Sequence, residues 1–266
     1  MGEAGSRNGS DMESKVIVIT GASSGIGAAL AEKLARKGHR LSLAARREKE
    51  LGEVAGRCGP GHLAVVTDVT KMEDMQRLRD ATLERFDRID VWVNNAGRGI
   101  SRKVLEVTDC EFDEIINVNL RSVLYGMQVI IPYFRRRGRG HLVNLSSYLS
   151  IVPQVSYRSI YSAAKSAVNS LTESLRIDLR DSHPDIAISL VLPGGVSTDF
   201  AKNALGGSPR GPWLKPQDVQ EVAGLIVDLI RHPRPVLFTD PASAELARAY
   251  FVDSYGKKPT GGFDQK

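Results

Sequence analysis

Cysteine is scarce: Cys58 and Cys110 are the only two in 266 residues, and they lie in separate segments. So sparse a set excludes a disulfide framework and suits a reducing compartment, which makes a cytoplasmic location the expectation. Long apolar runs are also missing. None approaches the roughly 18 residues that a membrane-spanning helix needs. Residues 1–14, MGEAGSRNGSDMES, are polar and glycine-rich rather than basic and then apolar like a signal peptide. No membrane partner is expected, and 1–14 reads as a disordered leader. The five histidines (His39, His62, His141, His183 and His232) are scattered with no pair spaced four apart, so no metal site is expected.

Neither sign of charge dominates. Lys and Arg number 36 against 31 Asp and Glu, leaving +5, an excess that suits a polyanionic small molecule and does not point to nucleic acid. Its densest piece, Arg135, Arg136, Arg137 and Arg139, reads as the cationic end of a helix stopped by Gly138 and Gly140, where the helix dipole favours positive charge.

From Lys15 onward short apolar runs alternate with longer helical patterns. The expected strands are Val16 to Thr20, Arg40 to Ala45, Leu63 to Thr67, Val91 to Val93, His141 to Leu145, Ile186 to Leu192 and Val236 to Thr239. Most are continuous β-branched or apolar runs, as strands covered on both faces require. Ile26, Leu30 and Leu34 recur four apart before Gly38, and similar helical patterns cover 71–86, 109–136, 158–181 and 216–231. The rhythm predicts an α/β fold of Rossmann type: a doubly wound parallel sheet of about seven strands in three α/β/α layers, as one catalytic domain over 15–255. Residues 199–216, with three glycines and three prolines, read as a substrate loop beyond the strand ends, and 256–266 as a flexible tail.

The first strand runs into Thr20-Gly21-Ala22-Ser23-Ser24-Gly25-Ile26-Gly27 and then a helix. Glycines at such a junction permit a tight turn and close backbone approach, and the helix N-terminus then faces a pyrophosphate. The second strand ends in Ala44-Ala45-Arg46-Arg47, where an NAD site wants a carboxylate for the ribose hydroxyls. Two guanidinium groups instead suit a 2′-phosphate, so NADP(H) is favoured over NAD(H). Asp68, in Thr67-Asp68-Val69, is read either as an acceptor for the adenine amine or as a cap for the helix near Lys71.

With these motifs in order, the sequence resembles the short-chain dehydrogenase/reductase family over roughly 15–240. The resemblance rests on TGASSGIG at 20–27, Asn94-Asn95-Ala96-Gly97, Asn119 in NVNL, Ser147, Tyr161-Ser-Ala-Ala-Lys165 and Pro193-Gly194. It implies a seven-stranded sheet that binds NAD(P)(H) across its strand ends, and a catalytic set of Asn119, Ser147, Tyr161 and Lys165. The implied cofactor contacts are Gly21, Ser23, Ser24, Gly25, Ile26, Gly27, Arg46, Arg47, Asp68, Val69, Asn95, Ala96, Gly97, Tyr161, Lys165, Pro193, Gly194, Val196 and Thr198. Asn94 supports the central sheet in this scheme, and Val196 and Thr198 hold the carboxamide. Helices 109–136 and 158–181 pack subunits in related proteins, which implies a homodimer or homotetramer. Two departures stand out. Tyr161 follows Ser147 by 14 residues, one more than the commonest family spacing, which leaves Ser146 as the alternative serine. The frequent valine-aspartate-glycine-glycine ending is replaced by Arg234-Pro-Val-Leu-Phe-Thr-Asp240.

Tyr161 and Lys165 are four apart in a helical segment, so they project from one face. A phenol of ordinary pKa near 10 is a poor base at neutral pH, and the Lys165 ammonium is expected to favour phenolate. Ser147 is expected to hold the substrate oxygen, and the resemblance implies that Asn119, facing inward, holds a water against Lys165. Leu149, Ile151, Val152 and Val155, together with Phe200 and the Trp213 region, predict an apolar ketone, aldehyde or alcohol as the small-molecule substrate. The rival is a non-enzymatic nucleotide-binding sensor or scaffold of the same fold.

Overall fold

The structure is a computed structural model that describes residues 14–207 and 216–255. Seven strands form one sheet: β1 (Val16–Thr20), β2 (Arg40–Ala45), β3 (Leu63–Val66), β4 (Val91–Asn94), β5 (Gly140–Leu145), β6 (Ile186–Leu192) and β7 (Val236–Phe238). All neighbours are parallel, in the order β3-β2-β1-β4-β5-β6-β7. The chain winds outward from β1 to β3, then crosses back to β4 on the other side of β1. Strand order therefore reverses between β1 and β4, where open α/β sheets leave a crevice beyond their strand ends.

The helices among the described residues are α1 (Gly25–Arg36), α2 (Glu48–Cys58), α3 (Met72–Phe86), α4 (Asp109–Ile116), α5 (Ser122–Arg137), α6 (Ser159–Leu179), α7 (Val219–Arg231) and α8 (Pro241–Tyr255). The apolar stripes of α1, α2 and α7 pack on one face of the sheet, against Ile17, Ile19, Leu41 and Leu43. Those of α3, α5 and α6 pack on the other, around Val18, Trp92 and Leu142. Alternate side chains of one strand thus enter opposite cores, which is why β1 reads as an unbroken apolar run. Strand β3 is the exception: it lies at the sheet edge and alternates in exposure, ending at Val66 rather than Thr67. None of the described helices is long and apolar enough to cross a membrane.

The segment expected as one helix over 109–136 is interrupted. α4 begins with a capping box, the Thr108 hydroxyl accepting from the Glu111 backbone N–H, and runs into a π-helical turn over Asn117–Arg121 before α5 resumes. A π turn inserts one extra residue per turn and rotates the side chains that follow; here it sets Asn119 inward and fully buried. The basic end of α5 falls where the sequence places it. Gly138 caps it with φ of 71°, and Arg137 donates to the Ile89 carbonyl and to Asp90. The expected helix over 216–231 starts later, at Val219, because Asp218 caps it by accepting from the Gln220 N–H. The expected leader 1–14 falls almost wholly outside the described residues, as do the expected tail 256–266 and the stretch 208–215 of the substrate loop, which includes Trp213.

Candidate active site

The glycine-rich turn between β1 and α1 is held from behind by the strand β4 exit. Asn95 Nδ2 donates to the carbonyls of Thr20 and Gly21 at 2.8 and 3.1 Å, and the backbone N–H groups of Asn95 and Ala96 both donate to Thr20 Oγ1. Space there admits no side chains. A Cβ on Gly27 would lie 2.4 Å from the Gly21 carbonyl oxygen and 2.5 Å from Asn95 Nδ2, while Gly21 itself has φ of +67° and faces Ala96 Cα. The first turn of α1 has no acidic residue, and Ser24 at its N-cap makes no side-chain capping bond. Its leading N–H groups and positive dipole end are therefore available to an anion. Ile26 is partly buried and packs against the core on this face of the sheet.

At the end of β2, Ala45 is buried and carries no acid. Arg47 reaches back across the turn, its Nη2 donating to the hydroxyls of Ser23 and Ser24 at 2.9 and 2.8 Å, while Nη1 lies 3.6 Å from Glu50. Arg46 is exposed beside it. Asp68 closes an Asx turn, Oδ1 accepting from the N–H and hydroxyl of Thr70. The alternative reading of Asp68 as a helix cap is corrected here: Lys71 occupies the N-cap position of α3, and it is Asp74 that takes the Asp68 N–H. The Val69 side chain is buried against α3 and leaves only its backbone to the crevice.

Asn94 stays within the sheet. It accepts from Trp92 Nε1 and donates to Asn144 Oδ1 on β5, and its amide occupies the space a Cβ on Gly126 would need. Gly97 lies between two polar groups: a Cβ there would be 3.0 Å from Asn119 Oδ1 and 3.7 Å from Lys165 Nζ. On the opposite wall the Pro193 carbonyl accepts from the Tyr148 N–H at 2.8 Å. Gly194 faces Ser243 and Asp240, Val196 pairs with Gln217, and Thr198 approaches Gly25. Residues 193–198 thus arch from β6 to the N-terminus of α1.

Tyr161 and Lys165 project from the first turns of α6 into this crevice, both buried. Burial pushes the Tyr161 phenol above its usual range, against the Ser147 side chain and the Arg158 charge, which both favour phenolate. The two serines are separated by their contacts. Ser147 faces Tyr161 and accepts from the Leu149 N–H, whereas Ser146 is bound to the Lys165 carbonyl and Asn169 Oδ1. The geometry thus brings Ser147, and not Ser146, to the phenol.

Lys165 and Asn119 are both held by backbone groups. Lys165 Nζ donates to the Leu145 carbonyl at 2.9 Å and sits 5.9 Å from the Tyr161 ring centroid, and burial lowers its own pKa from 10.5 to about 8. Desolvation makes its charge expensive, and a second cation, Arg158, adds to the charge that acts on the phenol. The Asn119 amide faces inward and is held by backbone groups. Its Nδ2 donates to the carbonyls of Arg98 and Ile115, and its Oδ1 accepts from the Arg98 N–H. The π turn makes this clamp possible by swinging Asn119 toward the 97–100 segment.

Arg158 was not among the residues expected from the sequence; it is 5% exposed and lies three residues before Tyr161. Its signal was that spacing, which puts a cation on the same helical face. Around Tyr161 lie Ile100, Ile115 and Ala164, with Leu149 and Leu205 packed on them, and the Phe200 ring meets the phenol edge-on at 5.5 Å. Val152, expected to line a pocket, is buried with Tyr148 against Ala247 of α8. No cluster of potential metal ligands occurs among the described residues.

Comparison with known proteins agrees with this geometry. The family model described as short chain dehydrogenase matches residues 15–207. An uncharacterized oxidoreductase of Staphylococcus epidermidis is 31% identical over 225 residues, covering 85% of this chain and 94% of that protein. Among solved structures, a short-chain dehydrogenase/reductase of Burkholderia phymatum in complex with NAD superposes with a TM-score of 0.83 at 29% identity, covering 96% and 99% of the two chains. An alcohol dehydrogenase of the archaeon Thermococcus sibiricus complexed with 5-hydroxy-NADP gives 0.73 at 33% identity, covering 85% and 96%. With its seven-stranded parallel sheet and its motifs assembled at the strand ends, the chain belongs to the short-chain dehydrogenase family of oxidoreductases.

Proposed function

We propose that the protein is an NADP(H)-dependent oxidoreductase that interconverts a ketone or aldehyde and an alcohol, with Tyr161 as the acid and base. The observation that carries this reading is the convergence of Tyr161, Ser147 and Lys165 in one buried crevice beside the glycine-rich turn. The residues present fit a dinucleotide. The uncapped N-terminus of α1 suits a pyrophosphate, the 193–198 arch suits the nicotinamide end, and the Arg46–Arg47 pair with Ser23 and Ser24 suits a 2′-phosphate. The nicotinamide, when bound, donates or accepts hydride at the substrate carbon.

The chain's own part is proton handling and orientation. Ser147 donates a hydrogen bond to the substrate oxygen, and Tyr161 delivers a proton to it in reduction or removes one in oxidation. A Lys165 pKa of about 8 lies close to working pH, which suits a group that resupplies that proton. Asn119 acts by position, fixing the backbone of Arg98 and so the 97–100 wall. The apolar surround of Leu149, Ile100, Leu205 and Phe200 favours a substrate with a hydrocarbon body. Pairing of copies into a dimer or tetramer belongs to the same reading, supported by Phe112 on α4 and Ile177 on α6, both exposed.

The test is oxidation of NADPH and of NADH with a panel of aliphatic and cyclic ketones. Turnover with NADPH preferred is expected. Tight binding of NADPH with no turnover on any carbonyl or alcohol would refute the catalytic reading and favour the sensor.

A further inference from the structure

Three arginines lie on the segments around the Tyr161 crevice, and their surroundings differ. Arg98 pairs with Glu114, and Arg102 Nε lies 3.1 Å from Glu111. Arg158, the most buried of the three, has no carboxylate partner among the described residues. Its polar contact there is one hydrogen bond, from Nη1 to the Ile100 carbonyl at 2.9 Å. Its guanidinium otherwise lies against aromatic faces, 5.7 Å from the Tyr157 centroid and 5.9 Å from that of Phe200. The backbone makes room for it: a Cβ on Gly99 would be 2.7 Å from Arg158 Nη1 and 2.9 Å from Phe200 Cε1.

A guanidinium does not lose its proton in a protein, so Arg158 stays charged even though burial lowers its pKa below the ordinary value. A buried charge without a counter-charge is strongly unfavourable. A neutral donor such as Gln would bind the Ile100 carbonyl at far lower desolvation cost. The permanent cation therefore has a use that the hydrogen bond does not explain. Phe200 connects it to the chemistry, since the same ring contacts both the guanidinium and the Tyr161 phenol. An anion at Arg158 lies within one small substrate's reach of the phenol.

We propose that Arg158 is a specificity-determining cation that receives a carboxylate on the substrate, so that the preferred substrates are carbonyl or hydroxy compounds with a hydrocarbon body and one acid group. The inference rests on the reading of the Tyr161 crevice as the substrate site, and it deepens that reading by naming the substrate's charge. The planar fork offers a carboxylate two parallel N–H donors, and the burial of Arg158 strengthens the pair. The apolar wall and the guanidinium thus recognise opposite ends of one molecule.

The experiment uses non-reacting probes, so it reads even if no ketone is turned over. Full-length protein saturated with NADP(H) is titrated by calorimetry with unbranched carboxylates from butyrate to octanoate and with the matching primary amides. At least one acid is expected to bind tenfold or more tightly than its amide. Arg158→Gln is expected to abolish that difference and Arg158→Lys to retain part of it, with melting temperature checking that each variant is folded. Equal binding of acids and amides to the wild-type protein overturns the proposal without need of a variant, and so does a difference that persists in folded Arg158→Gln. Where ketones are reduced, 5-oxohexanoate is expected to exceed its methyl ester in kcat/KM by tenfold or more. Equal loss on both from Arg158→Gln would instead mean that the cation serves only Tyr161, which also overturns the proposal.

Discussion

Replacing Gly27 by Ala and Gly52 by Ala is chemically the same change in two helices, yet the structure gives the two opposite signs. At Gly27 the new methyl carbon would sit 2.4 Å from the Gly21 carbonyl oxygen and 2.5 Å from Asn95 Nδ2, about 1 Å closer than van der Waals contact allows. Neither neighbour can yield alone. The Gly21 oxygen is backbone, and Asn95 Nδ2 is anchored by its bonds to Thr20 and Gly21. The first turn of α1 must therefore lift from the glycine-rich turn. Overpacking of this kind costs about 1–3 kcal/mol, and the two hydrogen bonds it weakens are worth about 1 kcal/mol each. Against these stands the better helix propensity of Ala, about 1 kcal/mol. The net is a destabilisation of about 3 kcal/mol, which corresponds to a fall in Tm of roughly 5–10 °C. Gly52 lies within α2 with nothing inside 4 Å of an added methyl, so only the propensity remains and stability rises by about 0.4–1 kcal/mol. Differential scanning calorimetry of both variants, with an NADPH fluorescence titration, checks this. Gly27→Ala is expected to lower Tm and weaken cofactor binding tenfold or more, whereas Gly52→Ala raises Tm slightly and leaves binding alone. A Tm within 1 °C of wild type for Gly27→Ala would refute the packing argument.

Other consequences follow from the same geometry. Burial lowers the Lys165 pKa from 10.5 to about 8, so between those values the unfolded chain holds a proton that the folded one has released, and stability rises with pH across that window. Lys165→Met removes a charge burial worth on the order of 3 kcal/mol. Its stability advantage at pH 7 should therefore shrink by about that amount at pH 10, as read by urea unfolding at both; a difference that does not change with pH contradicts the reasoning. Tyr161→Phe should leave less than a tenth of wild-type kcat with NADPH affinity unchanged, and a variant retaining more would remove Tyr161 from the proton step. Arg47→Ala deletes two hydrogen bonds to the glycine-rich turn. It also removes a guanidinium proposed to meet the 2′-phosphate, and a charged hydrogen bond to that group is worth about 1.5–3 kcal/mol, so the ratio of kcat/KM for NADPH to that for NADH should fall roughly 10- to 100-fold. An unchanged ratio would assign the preference elsewhere.

Much of this was legible because it is local. Seven strands and the turn into α1 are written in contiguous residues: an apolar run long enough for a doubly covered strand, then glycines where φ turns positive and a helix packs without side chains. The four-residue interval between Tyr161 and Lys165 fixes their common face whatever surrounds them. The π turn at Asn117–Arg121 was not legible, because the apolar period across 109–136 continues through it and only packing against the 97–100 segment rotates Asn119 inward.

Sequence alone thus determined the fold class, the order of the motifs and which residues share a helix face, since each depends on neighbours within a few positions along the chain. Tertiary structure decided the electrostatics. How Lys165 and Arg158 are held near the phenol depends on carbonyls at Leu145 and Ile100, on a ring at Phe200, and on how completely water is excluded. Those groups come from segments up to 58 residues from the charges they bind. Burial multiplies the energy of each charge in a way that spacing along the chain does not record.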